Sequence, residues 1–193
     1  MAGAVMSEWV RDGEIVLREA TSGDIADERI DFALHDQVER GYEGALPATR
    51  DGLERYAIEV DGRLVGLLGF RRDVPRVGAM VVDDLAIAVV ERGHAYGTRA
   101  LLAAERRLAE DGIGEGFARV PRGNGRGLYI MLRCGYAPND AFEDEGSGNE
   151  GVTWFQRNPA LEPTAASAST TRSAAAPLRD TRSRPAHRSS PAG

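Results

Sequence analysis

The stretch DDLAIAVVERGHAYGTRALL, residues 83–102, decides the fold. Met80 to Ile87 reads as a strand, and a small-residue loop leads from it into a helix from about Thr98 to Glu110. Leu101, Ala104 and Leu108 share one face of that helix, and Gly112 stops it. The first amides of a helix have no partner within it, so those at this helix start converge where an anion can sit, and a phosphate is the natural guest. Arg92 and His94 add positive or potentially positive charge beside the amides, while Gly93 and Gly97 let ligand atoms approach the backbone.

Outward from this stretch, strands and helices alternate. Ile15 to Glu19 reads as a strand, and Asp24 offers an N-cap to a helix with Ala26, Ile30, Ala33, Leu34 and Val38 on its apolar face, ending near Gly41. Tyr56, Ile58 and Val60 alternate with polar or small residues, Asp61-Gly62 is a tight turn, and Leu64 to Phe70 is a continuous apolar run: a hairpin with a buried second strand. Beyond the central helix, Phe117 to Val120 reads as a strand, Gly125 to Arg133 as a short helix and Val152 to Phe155 as a last strand after an acidic loop. The order β, α, three strands, α, β, α, β predicts an α/β (α+β) layered domain on a mixed central sheet flanked by helices.

A chain of 193 residues, 42% of them hydrophobic, has room for one domain with a core. The domain is expected over 14–158, after an N-terminal extension at 1–13. From Pro159 the sequence is almost wholly Ala, Ser, Thr, Pro and Arg, so 159–193 is expected to be disordered. No internal repeat is visible. No run is long and apolar enough for a membrane span, and the N-terminus lacks the form of a signal peptide, so a cytoplasmic location is expected. Cys134 has no second cysteine to pair with, cannot build a thiolate metal cage, and reads as a buried structural thiol.

All 24 basic residues are arginine, and the chain has no lysine. Five arginines beyond residue 158 face only Glu162 and Asp180, which divides the net charge of −6 into about +3 on the tail and about −9 on the rest. An acidic folded part argues against nucleic acid, whose binding rests on clustered basic residues. A P-loop needs a lysine that this chain lacks, and the G-x-G-x-x-G spacing of dinucleotide folds is absent from the loop.

Arg92-Gly93-His94-Ala95-Tyr96-Gly97 resembles the acetyl-CoA-binding motif R/Q-x-x-G-x-G/A of the GNAT superfamily, with Ala95 in place of the first glycine. Leu85-Ala86-Ile87 is similar to the Leu-x-Val strand end that precedes it. Downstream, Asn124 to Tyr136 resembles N-x-x-A-x-x-L-Y-x-x-x-G-F with the spacing from Asn124 to Gly135 intact. The resemblance covers Ile15 to about Asn158. It implies a GNAT acyl-CoA N-acyltransferase fold with acetyl-CoA as cosubstrate and no metal, held by Leu85, Ala86, Ile87, Arg92, Gly93, His94, Ala95, Tyr96, Gly97 and Thr98, with Asn124 on the pantetheine arm. From its position alone, Asn124 is equally a helix N-cap.

An N-acetyltransferase must take a proton from an ammonium group whose pKa is near ~10. Asp83 and Asp84 stand where the resemblance to glucosamine-phosphate N-acetyltransferases places an acidic pair near the acceptor. Strand alternation predicts that only one points into the cleft, with Asp84 preferred. The Ile87 amide is the candidate donor to the carbonyl oxygen. The tyrosine that protonates the leaving thiolate in many members is replaced by Met131, and Tyr129, about 200° away round the helix, is the remaining side-chain candidate.

A non-catalytic sensor or scaffold that binds acyl-CoA therefore stands as the alternative to an enzyme. The segments expected to border the acceptor, Gln37 to Leu46 and Pro138 to Glu150, hold Glu39, Tyr42, Glu43, Asp140, Glu143, Asp144, Glu145 and Glu150, a composition suited to a cationic small molecule or peptide end. No nucleic-acid or membrane partner is expected, and a homodimer stays open.

Overall fold

The apolar run from Leu64 to Phe70 is buried on both faces, and so it lacks the alternation of a half-buried strand. It belongs to the centre of a sheet. The computed structural model describes residues 7–39, 51–140 and 152–157. Among these, eight strands form one mixed sheet: β1 (Glu8–Asp12), β2 (Ile15–Glu19), β3 (Leu53–Val60), β4 (Arg63–Arg72), β5 (Ala79–Ile87), β6 (Glu115–Pro121), β7 (Ala137–Pro138) and β8 (Val152–Arg157). Their spatial order is β1-β2-β3-β4-β5-β6-β8-β7, and β5–β6 is a parallel pair within an otherwise antiparallel ladder.

The helices are α1 (Ser22–Ile25), α2 (Glu28–Glu39), α3 (Tyr96–Glu110) and α4 (Gly125–Arg133). Leu101 and Leu108 of α3 meet Leu17, Ile58, Leu68, Phe70 and Val82 on one face of the sheet. On the other face, Ile30, Ala33 and Leu34 of α2 cover Leu67, Ala86 and Ala88. Full burial of each such Leu or Ile side chain contributes about 1.5–3 kcal/mol, which makes this two-sided packing the main source of stability.

Two expected elements differ. The helix expected to start from Asp24 as N-cap is two helices, and its cap is Thr21. The Thr21 side chain accepts from the Asp24 N–H, and Asp24 returns a bond to the Thr21 N–H, because Asp24 occupies the third helical position of a capping box. The segment 8–12, placed in the N-terminal extension by sequence, is strand β1, and Trp9 stacks on Tyr56 with ring centroids 4.1 Å apart. The expected helix end near Gly41 and the tail from Pro159 lie outside the described residues.

The feature that builds the site is a β-bulge. Asp84 pairs with Gly69 and Val82 with Phe70, so Asp83 is an extra residue on β5. The parallel β5–β6 pairing runs from Ala79 with Glu115 to Val82 with Ala118 and stops at the bulge. Beyond it β5 still pairs with β4 and β6 with β8, but not with each other, which leaves a gap between them.

Candidate active site

The N-terminus of α3 opens into this gap. Ala95 is its N-cap, makes no side-chain cap bond, and is followed by a first turn without an acidic residue. The first intrahelical bond here runs from the Arg99 N–H to the Ala95 carbonyl, so the amides of Tyr96, Gly97 and Thr98 precede the ladder. Ala95 adopts φ 61° and ψ 14°, a left-handed conformation that favours glycine. The motif's glycine is therefore a backbone requirement at this position, and the alanine carries strain of about 1 kcal/mol. Gly97 allows close packing, since a Cβ on it would lie 3.3 Å from Ile87 Cγ1.

A cavity of about 310 Å³ starts at these amides and runs between β5 and β6, toward α4. From β5 it is lined by Asp83, Leu85 and Ile87, and from the loop and helix start by Arg92, Gly93, Ala95, Tyr96, Gly97 and Thr98. Asn124, Tyr129 and Met131 close it on the α4 side. Most residues singled out in the sequence therefore converge on one cavity. Three do not line it. Ala86 is buried against α2, His94 is exposed and stacks on Tyr96 at 5.2 Å, and Asp84 lies on the α2 face.

Strand alternation does not separate the two aspartates. Arg55, Gly69 and Asp84 share one row across β3, β4 and β5, and Arg71 lies on the same face of β4 as Gly69. Asp84 Oδ2 accepts from Arg55 Nε at 3.0 Å, and Asp83 Oδ2 accepts from Arg71 Nε at 2.6 Å. The bulge thus brings two consecutive carboxylates to the α2 face, and both side chains are only 2% exposed. Asp83 also borders the cavity, so it stands where the gap joins the two faces of the sheet.

The Ala88 N–H donates to Val65 on β4. In an antiparallel ladder the alternate residue points its N–H the other way, so the Ile87 amide is directed to the side from which β6 has parted. Arg92 Nε donates to the Ile87 carbonyl at 3.1 Å, tying the loop to the strand end. Asn124 Oδ1 accepts from the Gly127 N–H at 2.9 Å, so the N-cap role is real, and the residue lines the cavity as well.

On α4, Met131 is 4% exposed and Tyr129 61% exposed, as their angular separation on a helix requires. Burial pushes the Cys134 thiol up to about 11, away from the thiolate a nucleophile needs. Sequence reading missed Arg119, Arg126 and Arg133 in the cavity wall and Arg55 and Arg71 behind it. Arg126 and Arg133 fall inside the quoted downstream motif, but nothing local in the sequence signals the registers that bring Arg55 and Arg71 to the aspartates.

Four arginines, Arg92, Arg119, Arg126 and Arg133, line the cavity against the carboxylates of Asp83 and Glu91. Uncapped helix amides and a surplus of guanidinium groups fit the phosphates of coenzyme A, and the apolar walls at Leu85, Ile87 and Met131 fit its arm. Among the described residues, no group of three His, Cys, Asp or Glu side chains is placed to hold a metal ion, and no helix is long and apolar enough to cross a membrane.

A mixed sheet that opens between two parallel strands, with a bare helix N-terminus at the opening, defines the acyl-CoA N-acyltransferase class of fold. The chain belongs to the GNAT acetyltransferase family, whose model matches residues 21–136. Solved structures agree on the fold. A probable GNAT-family acetyltransferase from Chromobacterium violaceum is 15% identical with a TM-score of 0.58, covering 83% of this chain and 93% of its own. Spermidine N-acetyltransferase from Vibrio cholerae, in complex with CoA and spermine, is 12% identical with a TM-score of 0.58, over 77% of this chain and 98% of its own. An aminoglycoside acetyltransferase in complex with coenzyme A is 13% identical with a TM-score of 0.59, over 76% of this chain and 95% of its own. No curated protein matches the chain.

Proposed function

We propose that this protein is an N-acetyltransferase that takes the acetyl group of acetyl-CoA to an amine through the gap between β5 and β6. One observation carries the reading: Asp83 and the residues of the bare α3 N-terminus line the same cavity, so an anion site and a carboxylate share one passage. The amides of Tyr96, Gly97 and Thr98, with Arg92 and Arg126, hold the phosphates. Bound acetyl-CoA supplies the acyl carbon and a thiolate leaving group. Asp83 receives the amine proton, and the Ile87 N–H donates to the carbonyl oxygen as negative charge develops there. The C–N bond replaces the C–S bond, and the second proton that the nitrogen gives up passes through water at the cavity mouth to the thiolate sulfur, because the Met131 thioether has no proton to give.

In this reading Asp83, not Asp84, meets the amine, since Asp84 does not border the cavity. Arg71 orients Asp83, and Asp84 with Arg55 forms the support behind it. Thermal unfolding with and without acetyl-CoA tests the binding half, because ligand at 100 times its dissociation constant adds about 2.7 kcal/mol of stability. Thiol release with a panel of amines tests the transfer half.

The buried Met131 in the acid's place favours a second reading, an acyl-CoA-binding sensor or scaffold. Tight binding without thiol release for any amine, amino acids and peptide N-termini included, would select it. A location in the cytoplasm is part of the proposal and rests on the sequence alone.

A further inference from the structure

The acid-rich segments that suggested a cationic acceptor lie almost wholly outside the described residues; only Asp140 and the backbone of Gln37 to Glu39 and Pro138 to Asn139 fall within them. The α4 wall of the cavity is described throughout, and two of its side chains have no part in the chemistry above. Tyr129 lines the cavity yet is 61% exposed. Arg133, four residues on, also lines it, is exposed, and makes no hydrogen bond or ion pair among the described residues.

Arg126, Tyr129 and Arg133 follow one another at spacings of three and four, so they form one row along α4, about 10 Å long. All three are exposed, which makes the row a rim of the cavity. The row ends beside the phosphate site, because Cys134, next to Arg133, is within hydrogen-bond reach of Thr98 in the first turn of α3. A basic residue in the last turn of a helix also suits the negative end of the helix dipole. That contact asks neither for a cavity nor for an exposed aromatic ring one turn away.

Coenzyme A presents its groups in a fixed order: the acylated arm, the pyrophosphate, the adenine nucleoside and the phosphate on the 3′ oxygen. With the pyrophosphate at the α3 amides and the arm between β5 and β6, the nucleoside is left outside, at the rim. A phosphate monoester carries a charge of about −1.5 to −2 at pH 7, and the guanidinium fork matches its oxygens with two parallel hydrogen bonds. An aromatic side chain stacks on the face of a base.

We infer that the α4 rim is a subsite for the 3′-phosphorylated adenosine of the donor, with Arg133 on the 3′-phosphate and Tyr129 on the adenine. This rests on the coenzyme A half of the reading above and is independent of the transfer half. The subsite selects the class of donor. An acyl group carried on the phosphopantetheine of a carrier protein has neither base nor 3′-phosphate to offer it.

Calorimetric titration of the full-length protein with coenzyme A, 3′-dephospho-coenzyme A and 4′-phosphopantetheine, without any acceptor, tests the inference. Loss of the 3′-phosphate should weaken binding by about 10-fold or more, as for other hydrogen-bonded charges. Arg133→Gln should weaken coenzyme A by a similar factor and leave the dephospho form within about twofold. Tyr129→Ala should weaken both nucleotides by about 5-fold or more and spare 4′-phosphopantetheine, whereas Tyr129→Phe keeps the ring and should bind as the wild type does. Both side chains are exposed, so the free variants should melt as the wild type does. Equal affinity for coenzyme A and its dephospho form overturns the subsite and leaves the coenzyme A reading standing. So does an Arg133→Gln variant that weakens all three ligands alike, or a Tyr129→Ala variant that binds coenzyme A undiminished. No binding of coenzyme A to the wild type overturns both.

Discussion

Asp84 lies directly across the β4–β5 ladder from Gly69, and a Cβ on that glycine would fall 2.9 Å from its Oδ2. The glycine is the space in which a buried carboxylate reaches Arg55. That space and the bulge beside it place both aspartates at the opening in the sheet.

Gly69→Ala should therefore push the Asp84 carboxylate off Arg55. Crowding a packed interior costs about 1–3 kcal/mol, and here the displaced group is a charge with no second partner among the described residues. A lower midpoint in urea at unchanged slope is the expected signature. An unchanged midpoint would mean that the row Arg55, Gly69 and Asp84 has slack.

Ala95→Gly should stabilise the protein. The left-handed conformation costs an alanine about 1–2 kcal/mol, and glycine's greater freedom in the unfolded chain returns about 0.4–1 of it, leaving a gain of roughly 0.5 kcal/mol. Thermal melts should show a rise of about 1–2 °C with acetyl-CoA affinity no weaker than before. A lower melting temperature would contradict the strain at this cap.

The acid limb of stability should depend on Asp24. Two hydrogen bonds from Arg18, at 2.7 and 2.9 Å, hold its carboxyl well below the ordinary carboxylate range, with Thr21 adding to the effect. A depressed folded-state pKa contributes stability that is fully present above the unfolded-state value near ~4 and is lost progressively as pH falls from there through the folded-state value. Asp24→Asn should cost about 1–3 kcal/mol at pH 7, and its difference from the wild type should begin to shrink below about pH 5 and go on shrinking until pH has fallen through the folded-state value. A difference independent of pH would show that the ion pair with Arg18 is not the cause.

Tyr129→Phe should leave the single-turnover rate of acetyl transfer within about twofold, because a side chain 61% exposed at the cavity mouth has water as a competing donor. A fall of about 10²-fold with CoA affinity intact would instead make Tyr129 the acid that protonates the thiolate.

The element order was legible because each long element keeps one period: 3.6 for the helix carrying Leu101, Ala104 and Leu108, and two-sided burial for Leu64 to Phe70. The phosphate-binding loop was legible for a similar local reason, since Gly93 and Gly97 mark the backbone that must bend or be approached. The start of α3 was read two residues late, at Thr98, because Ala95 offers no capping side chain to mark it. Strand β1 was missed because an edge strand with only Trp9 and Val10 turned to the core gives a weak pattern. The bulge at Asp83 was invisible for a deeper reason. Two adjacent aspartates have no apolar alternation to break, so the rule of opposite faces was applied where the ladder slips. Arg55 and Arg71 reach the aspartates only through registers between strands, which no local pattern encodes.

The central claim is that the passage from the α3 amides to Asp83 carries an acetyl group to an amine. Single-turnover mixing with acetyl-CoA and an accepting amine, quenched and read by mass spectrometry, measures that event directly. The account requires the acceptor to gain the mass of one acetyl group for each thiol released. It also requires Asp83→Asn to slow this step by about 10²-fold or more while acetyl-CoA still raises the melting temperature. Acetyl-CoA bound at this site with no acetylated amine from the wild type, or an Asp83→Asn variant as fast as the wild type, would contradict it.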